Sequence, residues 1–214
     1  MTHNIADIRN DYIKHVLNIE STSDNPIQQF KEWFDEALKA EVTEVNAMIL
    51  STVNKENRPS ARVMLLKGIE EGQFIFYTNY QSDKGNQMEE NPFVALTFFW
   101  PQLERQVRIE GKINKVSPEV STSYFKSRPK DSQIGALASP QSTPIANRKI
   151  LEERVTNLTN KYKNKPIERP AQWGGYAVTA NQVEFWQGRA NRLHDRVQYT
   201  LDENSKWTKV RLAP

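Results

Sequence analysis

AMILSTVNKENRPSARVMLLKGIEEGQFIFYTN, residues 47–79, is the stretch on which the fold turns. It contains three short runs, AMILSTV, RVMLLKGI and QFIFYTN, each rich in β-branched and aromatic side chains. Lys-Glu-Asn and Glu-Glu-Gly stand between them and suit turns better than regular structure. Runs of this composition fit a pleated, half-buried surface, so each reads as a β-strand. VALTFFW at 94–100 and RQVRIEGKINKV at 105–116 continue the pattern, while QSDKGNQMEEN at 81–91 reads as a short polar helix or loop. Several such strands in succession predict an antiparallel sheet or small barrel.

Outward from that block the grammar changes. Upstream, Asn25-Pro26 has the form of a helix N-cap with proline at the first helical position, and Gln28 stands where a capping-box partner would be. Ile27, Phe30, Phe34, Ala37 and Leu38 then share one helical face. Downstream, PEVSTSYFKS, SQIGALAS and ANRKILEERVTNLTNKYK predict helices, the last with Ile150, Leu151, Val155 and Leu158 as its apolar stripe. KNKPIERPAQWGG, with two prolines and a Gly-Gly, returns the chain to strands: GGYAVTA, QVEFWQG, RLHDRVQYTL and KWTKVRLAP. The class expected is α+β, mainly β: one domain over residues 1–214. Within it lie an N-terminal helical segment (1–42), a first barrel half (43–116), a helical block (117–165) and C-terminal strands (172–214).

Composition narrows the function. Hydrophobic residues make up 37% and charged residues 26%, with a net charge of +3 whose cations are interspersed with acids. That mixture predicts a soluble protein and argues against a nucleic-acid or membrane binder. Cysteine is absent, which excludes disulfides and thiolate chemistry. Of the three histidines, His3 and His15 lie in the N-terminal segment, so a histidine-rich metal site is not expected. MTHNIADIRNDYIKHV lacks the apolar run of a signal peptide, and no stretch approaches the roughly 20 apolar residues of a membrane span. The expected location is the cytoplasm. The glycines form neither a dinucleotide fingerprint nor a P-loop, and no G-x-S-x-G occurs.

What remains is a scatter of anion-binding groups. Arg62 and Lys67 bracket VMLL, Lys84 follows Ser82, YFKSRPKDS mixes hydroxyls with cations, and SPQSTP holds Gln141 and Ser142. A phosphate is held by a guanidinium fork or an ammonium together with hydroxyl and backbone donors, the mixture these segments offer. Near the C-terminus, FWQGRANRLHDR (185–196) would put Arg192, His194 and Arg196 on one face if it is a strand, where they repel one another unless an anion or electron-rich ligand sits among them. Each feature also has a plainer reading: a solvated rim for the cations, a helix terminus for YFKSRPKDS, core for Trp186, a structural histidine for His194.

The segment V-E-F-W-Q-G-x-x-x-R-L-H-D-R resembles the signature of the pyridoxamine 5′-phosphate oxidases. RVMLLK (62–67), FYTN (76–79), LERQVRIEG (103–111), YFKSRPKDSQIGA (124–136), PQS (140–142), WGG (173–175) and RLAP (211–214) follow in family order. The resemblance implies an FMN-binding split β-barrel that dimerises, with FMN at the interface. It implies oxidation of pyridoxamine or pyridoxine 5′-phosphate to pyridoxal 5′-phosphate, with O2 reduced to H2O2. It places FMN against Arg62, Val63, Met64, Leu65, Leu66, Lys67, Tyr77, Thr78, Lys84, Gln106, Gln141, Ser142, Trp186 and Arg196. It places the substrate phosphate against Lys67, Tyr124, Arg128 and Ser132. Arg192, Leu193 and His194 would lie by the pyridine ring, with Arg192 and His194 as the catalytic pair, and Arg9, Asn10, Asp11 and Tyr12 would close over it. Many family members carry a basic residue just before the lysine matched by Lys84. Here that position is Asp83, so either its side chain turns to solvent or FMN binding is weakened. The alternatives are a non-catalytic FMN or pyridoxal-phosphate carrier and a split-barrel FMN oxidase with another substrate.

Overall fold

The computed structural model describes residues 4–5 and 11–214. Among these, five helices and nine strands alternate as the composition suggests: α1 (Pro26–Lys39), β1 (Ala47–Val53), β2 (Pro59–Leu65), β3 (Gly68–Glu70), β4 (Gln73–Asn79), α2 (Asp83–Glu90), β5 (Phe93–Trp100), β6 (Arg105–Lys115), α3 (Pro118–Ser127), α4 (Lys130–Ala138), α5 (Lys149–Lys161), β7 (Trp173–Gln187), β8 (Asp195–Leu201) and β9 (Trp207–Leu212). The strands follow the order β2-β1-β5-β6-β7-β4-β3, with β8 paired to β7 and β9 to β8. This is the curled sheet of a split barrel.

The chain forms two compact units. The first comprises residues 1–50, 95–111 and 180–214; the second comprises 51–94 and 112–179. In the first, α1 covers a core of fully buried Phe30, Phe98, Trp100, Phe185 and Tyr199. Phe30 meets Phe98 at 5.0 Å and Trp33 meets Phe185 edge-on at 5.1 Å. Burying such rings supplies most of the driving force, about 1.5–3 kcal/mol for each large apolar side chain. Asn25 caps α1 as expected, its Oδ1 accepting from the amides of Ile27 and Gln28. Gln28 does not close a capping box; its amide donates along the helix to Glu32. Trp33 joins Phe30 and Ala37 in the core while Leu38 is 51% exposed, because the buried stripe runs one residue behind the expected one.

In the second unit, Phe125, Ile134, Ile167 and Trp173 form a core against which Tyr77, Tyr124, Leu158 and Tyr162 pack. Val155 is 40% exposed, so α5 seats a narrower stripe than its sequence predicts. RVMLLKGI is not one strand. β2 ends at Leu65 and β3 starts at Gly68, and Lys67 donates its amide to Ile75 O. The GGYAVTA and QVEFWQG segments, by contrast, form the single strand β7.

One expectation fails for a clear reason. RLHDR does not begin a strand: residues 190–192 make a 3-10 turn, and β8 starts at Asp195. Asn191 and Arg192 both hold positive φ, 57° and 60°, which breaks any side-chain alternation before it starts. Arg192, His194 and Arg196 therefore do not share a strand face.

Candidate active site

In the second unit, two cationic groups form among residues singled out by sequence. Arg62, on β2, donates to Thr52 Oγ1 and to Gln87 Oε1. Lys84 is 7% exposed, with Nζ at 3.3 Å from Ser82 Oγ and 3.5 Å from Thr78 Oγ1. Thr78 in turn reaches Gln141 Oε1 at 3.4 Å. Ser82 caps α2 and fixes the first turn that buries Lys84. Gly85 is required there, since a Cβ would lie 2.1 Å from Tyr80 O. Ser142, at φ 69°, accepts the Asp83 amide at 3.2 Å, which holds the PQS loop to the start of α2.

Among the described residues, no carboxylate lies within ion-pair distance of Lys84. Burial, and then the Arg62 guanidinium, push the Lys84 ammonium below its ordinary pKa, with Asp83 opposing. Burial likewise lowers Arg62. A buried and a half-buried like charge that feel one another, ringed by hydroxyl and amide groups, suit a phosphate dianion. Asp83 itself is exposed.

The second group is built on stacked rings. Tyr77 lies 3.8 Å from Tyr124 at 16° and 5.6 Å from Trp173 at 12°. Arg128, at the end of α3, sets its guanidinium 4.6 Å over Trp173. Its Nη1 is buried with no hydrogen-bond partner among the described residues, and desolvation lowers its pKa. An N–H of this kind without an acceptor is costly and marks a place for a ligand oxygen. Arg128 also lines a cavity of about 480 Å³ with Lys126, Lys130 and Lys165 and no acid. Burial, with Glu70 next, raises Tyr77 to about 12, so its hydroxyl stays protonated. Ser132 lies in the first turn of α4, and Lys67 is exposed at the break between β2 and β3. Val63 and Leu65 are exposed on β2, with Met64 between them and Leu66 buried just beyond.

The first unit gathers a third group. Trp186 lies 4.6 Å from His194, and Tyr12 packs edge-on against both, at 5.8 and 5.9 Å. Tyr12 fits because residue 188 is glycine; a Cβ there would stand 2.7 Å from the Tyr12 ring. The Arg189 amide donates to His194 Nδ1 at 3.1 Å, which leaves Nε2 to carry the ring proton in the neutral form. Desolvation, then Arg192, lower the pKa of His194. Asp195 braces this turn, accepting from the Leu17 amide, Arg189 and Arg211. Arg192 and Leu193 are exposed beside it, as is Asp11, while Arg9 and Asn10 lie outside the described residues.

Arg196 stands opposite Trp186 in the β7–β8 register. Its Nε and Nη2 bond both oxygens of Glu184, at 3.1 and 2.9 Å, and Nη1 bonds Ala213 O at 2.8 Å. Gln106 is half-buried on β6, and its strand neighbour Arg108 reaches Glu184 at 3.6 Å. Trp173, Glu184 and Arg108 were not singled out by the sequence reading. For Glu184 a signal existed: it stands two residues before Trp186, hence on the same strand face.

Comparison with known proteins gives the family. Residues 34–162 match the family model described as pyridoxamine 5′-phosphate oxidase, and 173–214 match that of the pyridoxine 5′-phosphate oxidase C-terminal dimerisation region. The chain is 55% identical over 214 residues to a pyridoxine/pyridoxamine 5′-phosphate oxidase of Leptospira interrogans, covering 100% of both chains. It is 52% identical over 214 residues to that of Chromobacterium violaceum, again covering 100% of each. The crystal structure of PhzG from Burkholderia lata, in complex with tetrahydrophenazine-1-carboxylic acid, superposes with a TM-score of 0.88 at 27% identity, over 93% of this chain and 98% of that one. An FMN-binding protein of Nostoc punctiforme shares the fold, with a TM-score of 0.71 at 18% identity over 86% of this chain and 97% of that one. The chain belongs to the pyridoxine/pyridoxamine 5′-phosphate oxidases, a family of oxidoreductases.

Proposed function

We propose that the protein oxidises pyridoxamine or pyridoxine 5′-phosphate to pyridoxal 5′-phosphate as an FMN-dependent homodimer, reducing O2 to H2O2. The observation that carries this reading is a pair of cation sites in one unit, Lys84 with Arg62 and Arg128 over Trp173. Among the described residues, Lys84 lacks a carboxylate and Arg128 Nη1 lacks an acceptor. A phosphorylated cofactor and a phosphorylated substrate require two such sites.

FMN would be held by Arg62 to Lys67, Tyr77, Thr78, Lys84, Gln106, Gln141, Ser142, Trp186 and Arg196. When bound it supplies the redox step, accepting a hydride equivalent and passing electrons to O2. The chain's own residues position the reactants. Lys67, Tyr124, Arg128 and Ser132 take the substrate phosphate. Arg192 and His194 orient the pyridine ring, the histidine through its Nε2 proton, and Tyr12 excludes water above it. The dimer reading draws on the match of residues 173–214 to the family's dimerisation region.

The test is an aerobic assay of the purified protein, following pyridoxal phosphate and peroxide. Turnover of pyridoxamine 5′-phosphate with none of unphosphorylated pyridoxamine is expected. Bound FMN without turnover would sink the reading. The likeness to PhzG favours one second reading, an oxidase of an unphosphorylated polycyclic acid. Arg128 weighs against it, because it shares a cavity with Lys126, Lys130 and Lys165, a cluster of charge that matches a phosphate dianion better than a single carboxylate.

A further inference from the structure

Glu184 is 4% exposed on β7. A buried carboxylate is expensive to desolvate, and a buried ion pair is poor evidence of added stability, so its presence asks for another reason. Both of its oxygens are committed to the Nε–Nη2 edge of Arg196, at 3.1 and 2.9 Å. Fork-to-fork pairing fixes the plane of a guanidinium as well as its position. Ala213 O takes one N–H of Nη1 at 2.8 Å. The remaining N–H groups of Nη1 and Nη2 have no protein acceptor among the described residues, and the side chain is 25% exposed beside Trp186. Arg108 approaches the same carboxylate at 3.6 Å and is itself paired with Glu110 at 3.0 Å. Two arginines and two glutamates thus make this strand face neutral overall. A neutral face does not compete for phosphate; it offers directed N–H groups.

We propose that Glu184 is a positioning residue: it neutralises Arg196 and aims its free N–H groups at the uncharged, polar edge of the bound flavin. This rests on the assignment of Arg196 to FMN in the proposed function. Glu184 acts through Arg196 and touches no reactant itself.

The test is a double-mutant cycle on FMN affinity, read by quenching of flavin fluorescence on titration of apoprotein, with the flavin midpoint potential as a second readout. Glu184→Gln is expected to weaken FMN roughly tenfold, the scale on which outer-shell partners of a bound group act. It should also move the potential positive, since an uncompensated Arg196 stabilises the electron-rich reduced flavin. In the Arg196→Ala background, Glu184→Gln should cost nothing further. Equal losses in both backgrounds would overturn the proposal, as would unchanged affinity and potential in Glu184→Gln while Arg196→Ala weakens FMN. If Arg196→Ala itself binds FMN normally, the assignment of Arg196 fails first and takes the proposal with it. Should Glu184→Gln not fold, Glu184→Asp keeps the charge and withdraws the fork; weakened FMN supports aiming, and unchanged affinity refutes it.

Discussion

The cations singled out in the two units are held in opposite ways. In the first, Arg105 pairs with Glu36, Arg196 with Glu184, and Arg189 and Arg211 both with Asp195. In the second, Lys84 sits among hydroxyls and Arg128 over an indole, neither within reach of a carboxylate among the described residues. A buried charge that the protein compensates is scaffold or is aimed; one that it leaves uncompensated is held for a ligand. The contrast separates these cations by what faces them.

The sharpest way to break this contrast is to remove one cation of the uncompensated kind. Arg128→Met should lower kcat/KM for pyridoxamine 5′-phosphate about 100-fold, the scale of one or two charge-assisted hydrogen bonds. It should leave the melting temperature of the apoprotein unchanged or higher, because the lost N–H had no partner. A large fall in apoprotein stability would mean that Arg128 is scaffold after all.

A compensated cation should behave in reverse. Arg105→Met strips the buried Gln187 of a bond at 2.9 Å and Trp33 of its guanidinium. Denaturant unfolding should show a loss of about 2 kcal/mol, discounted because Glu36 is half-exposed and can be rehydrated.

Lys84 sharpens the comparison through pH. Its folded pKa is depressed, so in apoprotein the burial cost is fully present at neutral pH and is relieved as pH rises toward the ordinary lysine value of 10.5. The stability of wild type relative to Lys84→Met should therefore climb over that range in apoprotein, measured by paired unfolding curves. With FMN bound the climb should shrink or reverse. A flat difference in apoprotein would remove Lys84 from the uncompensated class.

The smallest effect is expected at Asp83, the exposed acid beside the Arg62–Lys84 pair. Asp83→Asn should tighten FMN about twofold at low ionic strength, and the gain should vanish with added salt.

The strands of 47–116 were legible because alternation and β-branching carry their own period. The break between β2 and β3 was not, since Leu66-Lys67 differs from a strand only by the turn it makes. The turn at 190–192 was illegible for a stronger reason: nothing in Arg192 announces a left-handed backbone, and that conformation is imposed by Asp195 and its partners on both sides. Within the site, the residues gathered around Tyr12, Trp186 and His194 came from the family pattern. The paired state of Arg196 did not, because pairing depends on which acid shares its face. A list of cations cannot show which are already spoken for.

Asp195 and Arg196 also give the last residues a role that a terminal strand would not suggest. Asp195 binds Arg211, Arg211 Nη2 bonds Leu17 O, and Arg196 bonds Ala213 O. Residues 211–214 are therefore a fastener rather than a tail. A protease removing these four residues would unfasten both the chain leading to Tyr12 and the guanidinium beside Trp186, while β8 and the first four residues of its partner strand stayed intact. Partial digestion should yield a folded protein that has lost its grip on ligands, a form of damage that a melting curve would miss.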